Sequence, residues 1–131
     1  MAIKLNPGYA EAYNNLGVAL FSIKKTEEAI YHYKMAIKTK PDYANAHYNL
    51  GNALRREGRN GEVIFHYKMA IKIKPDYADA HNNLGGVLFN AKMTEEAIDY
   101  FKMAIKLKPD YATAQKNIEK VLLWLEEYEH K

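Results

Sequence analysis

Cysteine is absent from the chain, which excludes disulfides, thiol nucleophiles and cysteine-based zinc sites. No apolar run approaches the roughly 20 residues that a membrane-spanning helix needs, so membrane insertion is not expected. A strong excess of either charge is missing too: 19 Lys and Arg stand against 16 Asp and Glu, a net charge of +3. Nucleic-acid-binding surfaces carry a much stronger basic bias, so no nucleic-acid partner is expected. The N-terminus has no charged stretch followed by an apolar run, the mark of a secretory signal. The expected setting is cytoplasmic, with an N-terminus that reads as starting inside a structural unit.

Proline is scarce, and its placement is the most informative feature of the chain. Only Pro7, Pro41, Pro75 and Pro109 occur, each 34 residues from the last. Around them one phrase recurs: MAIKTKPDY at 35–43, MAIKIKPDY at 69–77, MAIKLKPDY at 103–111 and MAIKLNPGY at 1–9. A fixed period of this size means stacked copies of one supersecondary unit, each covering the apolar face of its neighbour. The chain divides into a partial helix of a preceding repeat at 1–9, repeats at 10–43, 44–77 and 78–111, and a closing helix at 112–131. Residues 10–43 and 78–111 are identical at 23 of 34 aligned positions.

Each repeat reads as two amphipathic helices. In the first, expected over 10–25, Ala12, Leu16, Ala19, Leu20 and Ile23 recur at three- and four-residue intervals, which predicts an inner face. Thr26 with Glu27 and Glu28 reads as a helix start, the threonine hydroxyl acting as N-cap. The second helix, expected over 27–40, turns Ala29, Ile30, Tyr33, Ala36 and Ile37 inward and ends in lysines before Pro41. Gly17, Gly51 and Gly85 each cost a helix about 1 kcal/mol relative to alanine, which makes sense where two helices come very close. The closing helix carries Val121, Leu122, Leu123, Trp124 and Leu125 in succession, more apolar surface than one face can hide.

These positions resemble the tetratricopeptide repeat. Repeat one supplies Tyr13, Leu16, Gly17, Leu20, Ala29, Tyr33, Ala36 and Pro41. Repeat two supplies His47, Leu50, Gly51, Leu54, Val63, Tyr67, Ala70 and Pro75. Repeat three supplies His81, Leu84, Gly85, Leu88, Ala97, Phe101, Ala104 and Pro109. His47 and His81 replace the first aromatic of the pattern, and Val63 a small residue. The resemblance implies an all-α fold, a right-handed α-solenoid of antiparallel helix hairpins. It also implies that the first helices line a concave groove that holds extended peptide.

Transferred by repeat position, the peptide-binding candidates are Asn14, Asn15, Tyr48, Asn49, Asn52, Arg55, Asn82, Asn83, Lys116, Asn117 and Lys120. Asn15, Asn49, Asn83 and Asn117 form a ladder, each just before the repeat leucine or isoleucine. Asparagine is a mediocre helix former, and its amide offers the acceptor and donors that match a peptide bond. The ladder resembles that in the repeats of O-linked N-acetylglucosamine transferase; the alternative reading is that these amides bond water or a neighbouring helix. The family's carboxylate clamp for chaperone tails maps onto Asn14, Val18, Asn49, Asp79 and Asn83. Only Asn49 fits and Asp79 would repel a carboxylate, which argues against chaperone C-terminal tails as partners.

The chain carries no recognisable Ser–His–Asp set, phosphate loop or paired catalytic carboxylates, so it is not read as an enzyme and no cofactor is expected. His32 with His66, and His47 with His81, recur one repeat apart; packing outweighs metal binding for both pairs, and no metal is assigned. The leading expectation is a noncatalytic protein–protein interaction scaffold binding an extended peptide of unknown identity. One alternative is self-association into a weak homo-oligomer through the array ends, with Leu123, Trp124 and Leu125 as interface candidates. Another is the substrate-presenting arm of a larger enzyme.

Overall fold

A computed structural model describes residues 7–129. Seven α-helices account for most of them: α1 Pro7–Ser22, α2 Thr26–Thr39, α3 Ala44–Arg56, α4 Asn60–Ile73, α5 Ala78–Asn90, α6 Thr94–Leu107 and α7 Ala112–Glu129. They fall into two compact units, one ending at Pro75 and one beginning at Asp76. In the first, α1 pairs with α2 and α3 with α4, and α2 packs on α3. In the second, α5 pairs with α6, and α6 packs on α7. This is the all-α, sequential stacking of helix hairpins that the repeat implies. Residues 1–6, most of the expected partial helix, lie outside the described residues; residues 7–9 form the first turn of α1.

The hairpin cores are built from small residues on both helices and a ring between them. Ala29, Ala36, Ala53, Ala70, Ala97 and Ala104 are fully buried, as is Val63, which stands where its neighbours have alanine. Tyr33, Tyr67 and Phe101 fill the space over Gly17, Gly51 and Gly85. The glycines therefore make room for an aromatic side chain of the partner helix, rather than for its backbone. Burial pushes the Tyr33 phenol up to about 12.

Three expectations are corrected. First, Thr26 is the first residue of α2 and not its cap: Lys25 holds the N-cap position, and no side chain caps the helix. Second, the first-type helices end at Ser22, Arg56 and Asn90, short of the lysines expected to close the first. They stop because Lys24, Gly58 and Lys92 adopt left-handed backbone, with φ of 66°, 75° and 66°. The next amide then reaches back five residues: Lys25 N–H to Leu20 O at 2.9 Å, Arg59 to Leu54 at 3.0 Å, Met93 to Leu88 at 2.9 Å. This is a Schellman ending, which satisfies carbonyls that the helix leaves open.

Third, Ala12, Leu16, Ala19 and Ile23 do not form an inner face of α1. Leu16 is 47% and Ile23 62% exposed, whereas Leu50 and Leu84 at the equivalent of Leu16 are buried. The helix α3 lies between α2 and α4, while α1 packs only on α2 and α3 among the described helices. The side of α1 that carries Leu16 therefore has no described helix against it. With Tyr9, Ala12 and Tyr13, Leu16 lines a shallow apolar depression.

Candidate functional site

The first-type helices touch one another through two kinds of rung. In the first unit, Asn49 Nδ2–H donates to Asn14 Oδ1 at 3.0 Å. Two turns further on, the Arg56 guanidinium lies 3.8 Å from the centre of the Phe21 ring. One of its N–H groups donates to the Phe21 carbonyl at 3.1 Å. The second unit repeats the arrangement with one change of chemistry. Asn117 Nδ2–H donates to Asn82 Oδ1 at 3.0 Å, and Trp124 meets Phe89 edge to face at 5.7 Å. Every rung spans 35 residues, one repeat plus one position.

That offset explains what becomes of the asparagine ladder. Asn49 and Asn117 each spend one donor on the asparagine that precedes the ladder residue in the previous repeat. Asn14 and Asn82, the acceptors, are 6% and 4% exposed. Two of the candidate ligand contacts are therefore buried supports. Asn14 also bonds the Tyr43 phenol. The tyrosine pKa is raised by burial first and by the Glu11 carboxylate second, and the Asn14 bond partly offsets this. In the second unit the Tyr111 hydroxyl donates to Asp79 at 2.5 Å.

The other candidates divide by exposure. Asn15, Arg55, Lys116 and Lys120 are exposed. Tyr48, Asn49, Asn52, Asn83 and Asn117 are half-buried. Asn52 accepts a bond from the Tyr67 hydroxyl, and Tyr48 tilts its ring against Tyr67 at 5.8 Å. Asn82 Nδ2 lies 3.4 Å from Asn83 Oδ1. At the end of α7, Trp124 sits between Phe89 and Tyr128, the latter ring stacked at 5.3 Å. Leu122 and Leu123 stay 51% and 61% exposed, and Leu125 is half-buried.

Histidines pair differently from the repeat-to-repeat spacing considered in the sequence. His47 and His66, in one hairpin, place their Nδ1 atoms 3.1 Å apart, and His47 Nε2 donates to the Pro41 carbonyl at 3.1 Å. Among the described residues no group of three or more His, Asp and Glu side chains is placed to hold a metal ion. No described helix is long and apolar enough to cross a membrane.

Comparison with known proteins follows the same lines. A family profile described as TPR repeat matches residues 19–58 and 51–91, and profiles described as tetratricopeptide repeat match 78–111 and 1–31. The chain belongs to the tetratricopeptide repeat family. The first tetratricopeptide domain of Spaghetti (RPAP3), solved bound to the HSP90 peptide SRMEEVD, is similar in structure. It shows 21% identity and a TM-score of 0.89 over 95% of this chain and 98% of that one. The first such domain of human RPAP3 gives 21% and 0.89 over 96% and 99%. The Arabidopsis OM64 domain gives 21% and 0.85 over 88% and 95%. At this identity the tetratricopeptide fold is what is shared. Among curated protein sequences, none matches the chain.

The rungs were not readable in advance. Phe21 and Arg56 are both on the first-type helices, but a period of 34 pairs Phe21 with Arg55. Only the stacking geometry moves the partner by one position.

Proposed function

We propose that the chain is a noncatalytic scaffold that holds an extended peptide segment against its first-type helices, on the face that carries the rungs. The observation that carries this reading is the unspent capacity of the ladder. Asn49 and Asn117 each use one donor in a rung, which leaves a carbonyl oxygen and a second N–H on a half-buried side chain. Those two groups match the N–H and C=O of a peptide bond, and the rung fixes the amide before any ligand arrives, which lowers the ordering cost of binding. Contacts of this kind read backbone, so affinity should spread over many sequences.

The HSP90 peptide in the Spaghetti complex supports peptide binding as a use of this fold. It does not transfer as a ligand, since Val18 and Asp79 stand where a carboxylate clamp needs polar or basic groups. The test is fluorescence polarisation with unrelated extended peptides, comparing the wild type with Asn49→Ala and Asn83→Ala. Parallel weakening for all peptides supports the ladder as backbone anchor; unchanged affinity removes it from the site.

A second reading, association of chains through α7, draws on the exposure of Leu122, Leu123 and Trp124. Light scattering behind size exclusion distinguishes it. A mass fixed at 15.1 kDa from micromolar to near-millimolar chain would sink this reading. A mass that climbs, and falls back in Leu123→Gln, would establish it.

A further inference from the structure

We propose that Arg55 and Arg56 form an acid-reading subsite, in which the stacked Arg56 guanidinium receives a carboxylate or phosphoryl group from the bound peptide. The proposal rests on the peptide-binding reading and names the side-chain chemistry that such a peptide would carry.

The repeat itself does not require arginine here. The equivalents of Arg55 and Arg56 are Phe21 and Ser22, Phe89 and Asn90, and Leu123 and Trp124. The tie between neighbouring first-type helices does not require it either, because Phe89 and Trp124 make the same tie with two neutral rings. A basic residue in the last turn of α3 suits the negative end of the helix dipole, as Lys38 does in α2 and Lys72 in α4. That accounts for a charge, and not for a guanidinium held 3.8 Å over the centre of a ring.

The ring contact and the bond to the Phe21 carbonyl together position the Arg56 guanidinium. A guanidinium has five N–H donors in a rigid fork. One is spent on the Phe21 carbonyl, and the other four meet no acceptor among the described residues. Arg56 is exposed, and Arg55 beside it is exposed and makes no ion pair among the described residues. A planar fork backed by an aromatic face is suited to bidentate recognition of a carboxylate or phosphate.

Field strength does not explain the site. Lys24 and Lys25 share a shallow depression with Glu27, Glu28 and Glu57, so the surrounding charge is mixed and selectivity must come from the fork. The stack lies seven residues along both helices from the Asn14–Asn49 rung. Two helical turns rise about 10.5 Å, roughly three residues of extended peptide. The preferred ligand therefore carries its acid about three positions from the backbone segment held at Asn49. None of the clamp positions identified by family resemblance coincides with Arg55 or Arg56.

The test uses fluorescein-labelled ten-residue peptides of alternating threonine and glutamate, threonine and glutamine, or threonine and phosphoserine, with affinity read by fluorescence polarisation. Wild type should bind the glutamate peptide about tenfold more tightly than the glutamine peptide, the worth of one charge-assisted hydrogen-bond pair. Arg56→Lys keeps the charge and loses the fork; Phe21→Leu keeps apolar bulk and loses the ring. Both should erase that preference, and Arg55→Ala should reduce it; melts of each variant, read beside the binding data, show that the chain stays folded at the assay temperature although a tie between α1 and α3 is weakened. A phosphoserine preference lost in the same variants identifies a phosphopeptide as the natural source of the anion; a larger response to glutamate identifies acidic side chains. Equal binding of glutamate and glutamine peptides, or a preference that survives Arg56→Lys, overturns the subsite and leaves the ladder standing. Binding of none of the peptides overturns both.

Discussion

A β-carbon placed on Gly51 would lie 2.5 Å from Cε1 of Tyr67, so the ring of α4 occupies the space that any side chain on α3 would need. Gly51→Ala therefore sets two effects against each other. Alanine gains about 1 kcal/mol of helix propensity. Displacing a fully buried ring in a close-packed hairpin costs about 1–3 kcal/mol, and Tyr67 also carries the bond to Asn52. The expected result is a net loss of up to about 2 kcal/mol in urea denaturation. Gly61, in α4, has nothing within 4 Å of its hypothetical β-carbon. There the same substitution should raise stability by roughly 0.5–1 kcal/mol, because only the propensity acts. Equal signs at the two positions would contradict this account.

The turns offer a second comparison. Lys24 and Lys92 hold φ of 66° with a β-carbon, and Gly58 holds 75° without one. A left-handed conformation costs an L residue about 1–2 kcal/mol, partly returned by the lower entropy of its unfolded state. Lys24→Gly and Lys92→Gly should each stabilise the chain by about 0.5–1 kcal/mol, and Gly58→Ala should destabilise it by a similar amount. Thermal melts of the three variants check the signs.

Much of the hairpin was legible because its determinants are local and repeated. Gly17, Gly51 and Gly85 announce a close approach inside each repeat, although the ring of Tyr33, Tyr67 or Phe101 that fills it is visible only in the structure. Legibility fails where a contact depends on how one hairpin turns relative to the next. The pairing of Phe21 with Arg56, and of Asn14 with Asn49, needs an offset of 35 that a period of 34 does not contain. It also fails where a pattern lacks its neighbour: Leu16 fits the apolar period but has no described helix against it. Thr26 looked like a cap because hydroxyls often cap helices; the backbone places it one residue too late.

The His47–His66 pair should make stability depend on pH. His47 Nε2–H is committed to the Pro41 carbonyl, so its Nδ1 accepts from His66 Nδ1–H. A proton added to the pair would leave two N–H groups facing each other. Burial lowers the His47 pKa, partly opposed by its bond to Pro41. Burial, followed by the His47 charge, brings His66 to about 4; Glu62 opposes the shift and Lys34 adds to it. In the unfolded chain both titrate near 6.5. Between about 4 and 6.5 the unfolded state binds more protons, so stability is full above that window and falls as pH drops through it. Below about 4 His66 adds no further loss. Melting temperatures from pH 7.5 to 4 should fall, and the slope should be shallower in His66→Tyr, which copies Tyr100 of the next hairpin. An unchanged slope would show that other groups set the dependence.

The asparagine ladder supports the fold and is proposed to hold ligand, and the two roles need separate readouts. Asn49→Ala removes the amide that bonds the buried Asn14 oxygen, and an acceptor left short of a partner costs about 1–3 kcal/mol. Asn15, exposed on α1, should change stability by less than about 0.5 kcal/mol when made alanine. The Asn14→Ala/Asn49→Ala pair then decides how the loss divides. If the rung carries it, the double variant will be more stable than the sum of the singles implies, by a coupling of about 1 kcal/mol. Additive losses would mean that the 3.0 Å bond contributes little. With the coupling known, peptide affinity in the double variant isolates the second role. Measured against Asn14→Ala, in which the rung is gone but the Asn49 amide remains, any further deficit belongs to the missing contact between Asn49 and the peptide.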